Sequence, residues 1–535
     1  MPPSPAVQSA AARGRQVMAA AAVVGAAFVV SRMLGLVRDA VITYFFDIDS
    51  LASNAYFIAS RFPETIFYVI AGGALGSAFI PTFSAYGVRQ DERGAWRLFS
   101  AVVNLVLVAT TAAALLVAVF APQILVAFYP ELLAQQPGLL PVAARLLRLL
   151  LITPIIFGAS GVAMAALNAR QHFLMPAVAP IIYNLGIIAG ALLFAPDVMG
   201  LGYGAVAGAA GHLLVQLPAL GRAGARYEPV LTLSDQGVRQ VLRLMAPRVL
   251  GLSFGQLNHL VTQFMAQGLV VGSIPALGLA WRVMIMPQGV IGQALGIAAF
   301  PTLAELAARR ALAEMQAILT ASLRLILFFS LPAAALLIAL RLPLTQLLFE
   351  RGAFDAESSA FVAWGLLWYA WGLAGLAAIE VISRAFYALE DTWTPVLAGL
   401  LQLASMAALG LWLSGRLFPA AGWPAFGGLA LGYSLSTYLE VGLLLILLRP
   451  KLGAVGGRAL AAGLGRMGLA AFAAAAAAGL GLRLAGPAPL AQLAAGGLLG
   501  GLAFLAAAVL LKVAEARRML AAASRRLSCW PLRRR

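Results

Sequence analysis

Val23–Phe46 reads VVGAAFVVSRMLGLVRDAVITYFF, and this stretch sets the class of the whole chain. A helix over these residues rises roughly 36 Å at about 1.5 Å per residue, enough to cross a hydrocarbon core of about 30 Å. The run is apolar enough to enter a bilayer, yet it carries Arg32, Arg38 and Asp39. A guanidinium facing lipid at that depth is costly, so these side chains are expected to face a watery cavity or a partner. At about 100° per residue, Arg32 and Asp39 share one stripe and Arg38 lies about a third of a turn away. The helix is therefore expected to present two cations to an interior space rather than a single internal ion pair.

Composition extends this reading to the rest of the chain. Of 535 residues, 62% are hydrophobic and only 11% charged, against about a quarter charged in a soluble domain. The apolar runs have helical length rather than the short alternation of barrel strands, so the expected fold is an all-α polytopic membrane protein. The net charge of +17 falls mostly between the apolar runs, which points to membrane orientation and not to nucleic acid. Cys529 is the one cysteine, so no disulfide or thiolate metal site can form within the chain. The histidines (His172, His212, His259) are too scattered for a metal centre, and no cofactor is expected.

About fourteen spans of roughly twenty or more residues can be counted. Residues 1–16 form a polar N-terminal tail, and the first span shows no small-residue cleavage site, so it is read as retained. Residues 17–220 hold six spans, 221–240 form a polar connector, and 241–450 hold six more. A final helix pair occupies 451–516, followed by a basic tail at 517–535 suited to anionic head groups. Alternate connections carry the basic residues: Arg89, Arg93 and Arg97, then Arg170, then Arg222, Arg226 and Arg239, then Arg309 and Arg310, then Lys451 and Arg458. The LEDTW loop is an exception on that side, while Asp47, Asp49, Glu131 and Asp197 mark the other. Both termini are thus expected in the cytoplasm.

The chain also repeats itself. SRMLGL at Ser31–Leu36 returns as PRVLGL at Pro247–Leu252, FIPTFSAY at Phe79–Tyr86 as FPTLAEL at Phe300–Leu306, and ALNARQHFLMP ending at Pro176 as FYALEDTWTP ending at Pro395. The offsets are 216 (31 to 247), 220 (81 to 301) and 219 (176 to 395), close to one register. Six spans per repeat is an even number, so two pseudo-symmetric six-helix lobes should be related by an axis along the membrane normal.

Several charges and breaks stand where chemistry is plausible. Arg61 precedes Pro63 on the second span, and Arg282 precedes Pro287 at the related place of the second repeat. Proline frees backbone groups and bends a helix, so a basic residue beside it suits an anion. Arg248 repeats Arg32 but lies beside the connector. Glu380 and Arg384, four apart, read as a local ion pair with a coupling role as the alternative. Gly72 and Gly73 in AGGALG read as a hinge or a close helix contact; Gly496 and Gly500 have the small-xxx-small spacing of helix packing. Asn54 and Asn184 read as hydrogen-bonding glue between helices. Asp39, Asn54, Gly72, Gly73, Glu380 and Arg384 are the candidates for gating or coupling. No Walker loop, metal-spaced carboxylate pair or Ser/His/Asp grouping is present, so the chain reads as a transporter and not an enzyme.

SRMLGLVRDA, the N-A-Y-F and R-F-P run, AGGALGSAFIPTFSAY, LNARQHFLMPAVAP, the W-R-x-x-x-x-P segment and FYALEDTWTPV together resemble the MurJ/MviN lipid II flippases of the MOP exporter superfamily, over nearly the whole chain to about Leu448. The resemblance implies fourteen helices, two lobes around a cationic cavity, and a helix pair that helps hold a polyprenyl tail. The implied cargo is lipid II, an undecaprenyl-pyrophosphate glycopeptide, moved between leaflets of a bacterial plasma (inner) membrane by a monomer without a cofactor, the coupling ion being left open. Carried over by position, Arg32 and Arg38 match the arginines of the opening motif, Arg282 the functional arginine of the eighth helix, and Arg61 the basic residue before the second-helix proline. Asn54 and Gly72 stand where many relatives carry an acid, and Phe67 where they carry a further arginine. A flippase for another undecaprenyl-linked oligosaccharide and a membrane glycosyl- or acyltransferase are the alternatives, the latter lacking a loop long enough to be catalytic. A cation exporter should line its cavity with carboxylates, and this one offers arginines.

Overall fold

The structure is a computed structural model that describes residues 25, 27, 29–70 and 74–519. Among the described residues there is helix and no strand. The expected hinge at Gly72 and Gly73 and the basic tail from 520 onward, with Cys529, lie outside the described residues. Among the described residues, ten helices are long and apolar enough to cross a membrane, eleven when a bent pair is taken as one span. Four further helices, 29–45, Leu51–Ile70, Ala74–Val88 and Gln236–Ala266, carry more charge or are shorter and fall within the first, second and seventh spans expected from sequence.

The chain divides into two compact units, the first being Met1–Pro275 with Arg351–Phe354. Its helices are α1 (29–45), α2 (Leu51–Ile70), α3 (Ala74–Val88), α4 (Glu92–Val119), α5 (Leu139–Ala169), α6 (Leu174–Phe194), α7 (Met199–Arg222) and α8 (Gln236–Ala266), with short helices Ala121–Phe128 and Pro130–Gln135 between α4 and α5. Compactness thus divides the chain one helix later than the 221–240 connector, because α8 packs on α2 and α3. Asp91 starts α4 by accepting a 2.8 Å bond from the Gly94 amide. Asp235 starts α8 in the same way, through Gly237 and Val238. Such caps satisfy amides that the first turn of a helix leaves unpaired. Phe79, Phe83, Trp96, Phe99 and Val162 fill the core among α3, α4 and α5. Arg170 closes one end of it, paired with Glu92 and lying over the rings of Phe83 and Trp96.

Helices α6 and α7 approach backbone to backbone. A Cβ on Gly204 would stand 2.4 Å from the Gly186 carbonyl oxygen, and one on Gly186 would stand 2.4 Å from the Gly208 Cα. Lipid supplies no hydrophobic drive between helices, so close van der Waals contact over small residues carries the association. Beside this seam, Ser160 on α5 and His212 on α7 share a 2.6 Å hydrogen bond, and Gln216 donates to Ser160 at 2.8 Å. All three side chains are buried, and the network satisfies polar groups that water cannot reach.

The second unit is Ala276–Glu350 with Asp355–Arg535. It holds most of α9 (Ser273–Ala308), then α10 (Leu312–Phe349), α11 (Ala356–Trp371 with Leu373–Ala388), α12 (Trp393–Ala420), α13 (Phe426–Leu452), α14 (Gly457–Leu484) and α15 (Pro489–Leu510). Helix α11 bends by 43° at Gly372. There the Gly372 amide bonds to Tyr369, and Ser434 of α13 donates at 2.7 Å to the Trp368 carbonyl left over. A side chain at 372 would collide with Ser434. Gly496 and Gly500 of α15 lie against α14, as small-xxx-small spacing requires. Arg324 of α10 holds Glu515, just beyond α15, through 2.7 and 3.3 Å bonds. Near the start of α12, burial opposes the charge on Asp391, yet hydrogen bonds from Lys451 and Thr394 hold its carboxyl down to about 2.

The internal repeat is visible in the backbone. Among the described residues, left-handed conformations at non-glycine positions occur at Gln90 (φ 58°), Gln171 (62°), Arg310 (55°), Glu390 (60°) and Lys512 (57°). Gln90 and Arg310 are 220 apart (90 to 310), and Gln171 and Glu390 are 219 apart (171 to 390), the offsets of the sequence repeat. Such conformations are uncommon for residues with a Cβ, so their recurrence in pairs supports a duplicated turn geometry.

Gly204→Val is expected to destabilise the first unit by on the order of 1–3 kcal/mol through overpacking. Gly399→Val, where nothing lies within 4 Å of an added Cβ, should leave the protein near wild type. Thermal unfolding of the purified variants in detergent compares them, and equal midpoints would remove the glycine seam as a source of stability.

Candidate functional site

Helix α1 brings its charges together more closely than helical spacing suggests. Arg38 donates to Asp39 Oδ1 from Nη2 at 2.8 Å and from Nε at 3.1 Å. Its Nη1 donates at 3.1 Å to Asn184 Oδ1 on α6. Asn184 is held in turn by its own helix, its Nδ2 donating at 3.0 Å to the Pro180 carbonyl. The expectation of two cations without an internal ion pair is therefore corrected. Side chains at successive positions diverge at Cβ, but arginine is long enough to fold back over its neighbour. Asp39, only 2% exposed, could not be buried charged without such a partner. Tyr56 and Tyr183 lie within electrostatic reach of the same guanidinium.

Arg61 on α2 pairs with Glu64 at 2.9 Å. The proline beside it does not break the helix: α2 runs through Pro63, and Thr65 donates at 2.8 Å to the Arg61 carbonyl. Tyr68, one turn beyond Glu64, interacts electrostatically with Arg61, Glu64 and Arg32. The first unit thus gathers Arg32, Arg61, Glu64 and Tyr68 along facing parts of α1 and α2, with the Arg38–Asp39–Asn184 group further along α1. Glu64 and Tyr68 were not singled out from sequence; their spacing of three and seven from Arg61 is the signal that places them on its face. Phe67 instead packs on Phe157, with ring centroids 5.3 Å apart.

Asn54 is fully buried, and its amide nitrogen faces the carbonyls of Ile48, Asp49 and Ser50 at 3.0–3.3 Å. This side chain ties the turn between α1 and α2, a task that needs a donor. An ionised carboxylate only accepts, so the amide is the residue type this turn demands.

In the second unit, Arg282 is half-buried on α9. Pro287 follows it, and the helix then widens into a π-turn at Gly289–Gln293. Such turns relieve the lost hydrogen bond of an internal proline and re-aim side chains. Glu380 and Arg384 of α11 form the local pair expected, at 2.7 Å. Gln288, at the edge of the π-turn, donates to Glu380 at 3.3 Å. A Cβ on Gly296 would stand 2.2 Å from Arg384 Nη1. The guanidinium therefore rests on bare backbone of α9, a contact that sequence spacing across helices does not reveal. Arg248, the counterpart of Arg32, has no described side chain.

Membrane-length helices in two units, with arginines and their carboxylates built into the helices, define a multi-pass α-helical membrane protein. A solved lipid II flippase MurJ in an inward closed conformation shares the fold, with a TM-score of 0.72 at 21% identity over 93% of this chain and 99% of that one. An inward-facing multidrug resistance MATE family transporter of the MOP superfamily follows at a TM-score of 0.66, 13% identity, and 79% and 95% coverage. The lipid II flippase MurJ of Burkholderia cenocepacia is 29% identical over 374 residues, 68% of this chain and 72% of that protein. The family model described as lipid II flippase MurJ matches residues 42–510. This chain belongs to the lipid II flippase MurJ family.

Asn54→Asp is expected to cost about 1–3 kcal/mol, the scale of leaving buried carbonyls without their donor. Thermal unfolding at neutral pH reads this, and a variant as stable as wild type would show that the amide does not hold the turn.

Proposed function

We propose that this protein translocates lipid II from the cytoplasmic to the outer leaflet of a bacterial inner membrane by alternating access. Arg32, Arg38 and Arg61 of the first unit and Arg282 of the second bind the anionic head group. The observation that carries this reading is the gathering of Arg32 and Arg61 around Tyr68, with Arg38 set in an acid–amide clamp on the same helix as Arg32. Membership of the MurJ family supports the choice of cargo.

A diphosphate and a peptide carboxylate cannot enter hydrocarbon unaided, so the carrier must supply counter-charge at depth. Guanidinium forks meet phosphate oxygens with paired hydrogen bonds, which a lysine ammonium does not. The polyprenyl tail stays in lipid while the head passes, so no covalent bond need form or break, and the protein is a carrier and not an enzyme. It works as a monomer with both termini in the cytoplasm, the orientation that the basic connections favour. Asp39, Glu380 and Arg384 serve as the charge partners that keep the empty carrier neutral.

Arg32→Ala should abolish complementation of a flippase-depleted bacterium while protein levels stay normal. Each charge-assisted bond lost is worth about 1.5–3 kcal/mol. A leaflet-resolved assay of lipid II accessibility should show the same loss. Normal growth and normal accessibility with Arg32→Ala would take this residue out of the site.

A further inference from the structure

The arginine–carboxylate pairs Arg38–Asp39, Glu380–Arg384 and Arg61–Glu64 each lie within one helix, and they are not equally closed. Asp39 is 2% exposed and takes two bonds from Arg38, whose remaining arm is held by Asn184. Arg384 binds both the carboxylate and the backbone carbonyl of Glu380, lies on Gly296, and has Gln288 on the far side of its partner. Arg61 differs. A single 2.9 Å bond joins it to Glu64, whose side chain is 40% exposed while that of Arg61 is 11% exposed. The Arg61 Nε is buried and without a hydrogen-bond partner. A guanidinium offers five N–H donors, so this one is under-used at a depth where unmade bonds are costly.

The neighbours point the same way. Arg61, Glu64 and Tyr68 occupy positions i, i+3 and i+7 of α2, one face of the helix. Tyr68, 42% exposed, lies within electrostatic reach of Glu64, Arg61 and Arg32. Two cations, one loosely held carboxylate and one phenol thus share a small region. A static ion pair would be expected to use more of its donors and to bury its acid.

We propose that Glu64 is a place-holder counterion: it occupies Arg61 in the empty protein, and an oxyanion of the cargo takes its place on loading. The carboxylate then turns toward its exposed side, the oxyanion meets the buried arm of Arg61, and the Tyr68 hydroxyl donates to the same anion. Exchange of one acceptor for another keeps the Arg61 guanidinium paired through loading and release. This inference rests on the head-group-binding reading above and adds Glu64 and Tyr68 to it as residues that set affinity.

The test uses the full chain in lipid nanodiscs, titrated with farnesyl diphosphate and followed by intrinsic tryptophan fluorescence. Glu64→Gln removes the competing charge and keeps the side-chain shape. It should tighten binding about tenfold, the scale of one charge-assisted hydrogen bond in a partly solvated place. Arg61→Ala combined with Glu64→Gln should erase that gain, and Tyr68→Phe alone should weaken binding about threefold. Thermal unfolding of each variant in the same nanodiscs confirms that it is folded. Palmitate as a second probe tells the source of the anion: a gain confined to the diphosphate assigns the place to phosphate, and an equal gain for palmitate assigns it to carboxylate as well. Folded Glu64→Gln that binds the diphosphate no better than wild type overturns the place-holder role alone. Absence of saturable binding to wild type overturns it together with the head-group reading.

Discussion

A permanent positive charge inside a membrane helix has to be answered by something, and for Arg38, Arg61 and Arg384 the answer is a carboxylate on the same helix. Arg38 has Asp39, Arg61 has Glu64 and Arg384 has Glu380. A pair built into one helix travels with that helix as a neutral piece, so the helix can be placed in lipid without exposing a bare guanidinium. The ion pairs that join separate segments lie elsewhere: Arg170 with Glu92, Lys451 with Asp391, and Arg324 with Glu515. Those pairs staple helix ends and loops. The two kinds of pair therefore differ in reach: one neutralises a single helix, the other ties separate segments together.

Backbone polarity obeys the same rule with different means. Where α11 bends, Ser434 takes the carbonyl that the helix gives up. Where Pro287 removes a donor from α9, a π-turn follows within two residues. Where α6 and α7 touch, glycines let the two backbones meet with no side chain between them. In each place backbone groups meet a partner or close packing within the protein, because water is not there to supply it.

Much of this was legible in the sequence for physical reasons. Apolar runs of membrane length have few alternatives, and the repeat offsets reappear as paired left-handed turns at Gln90 and Arg310 and at Gln171 and Glu390. The i, i+4 spacing of Glu380 and Arg384 is a local geometry, and the pair forms. The Arg38–Asp39 pair was not legible, because helical-wheel reasoning places Cβ atoms and ignores the reach of a long side chain. The support of Arg384 by Gly296, and of Arg38 by Asn184, joins residues 88 and 146 positions apart (296 to 384, 38 to 184). No periodicity reports contacts of that separation. Asn54 was read as glue between helices, and the structure makes it a clamp on a turn within one stretch of chain.

A carrier for an anion faces a balance that an anion-binding protein does not. Bare arginines would bind cargo tightly, but the empty protein would then carry the cost of unpaired charge at depth, and release would restore that cost. Fully clamped arginines avoid the cost and meet cargo only as far as their partners yield. A graded set resolves the conflict: Arg38 and Arg384 are held by several partners each, whereas Arg61 has one partner and a buried arm to spare. Binding then amounts to trading one acceptor for another of similar strength. The net free energy of such a trade is a small difference between large terms. Small differences are what a cycle of loading and release requires, since an acceptor gained at one membrane face has to be surrendered at the other.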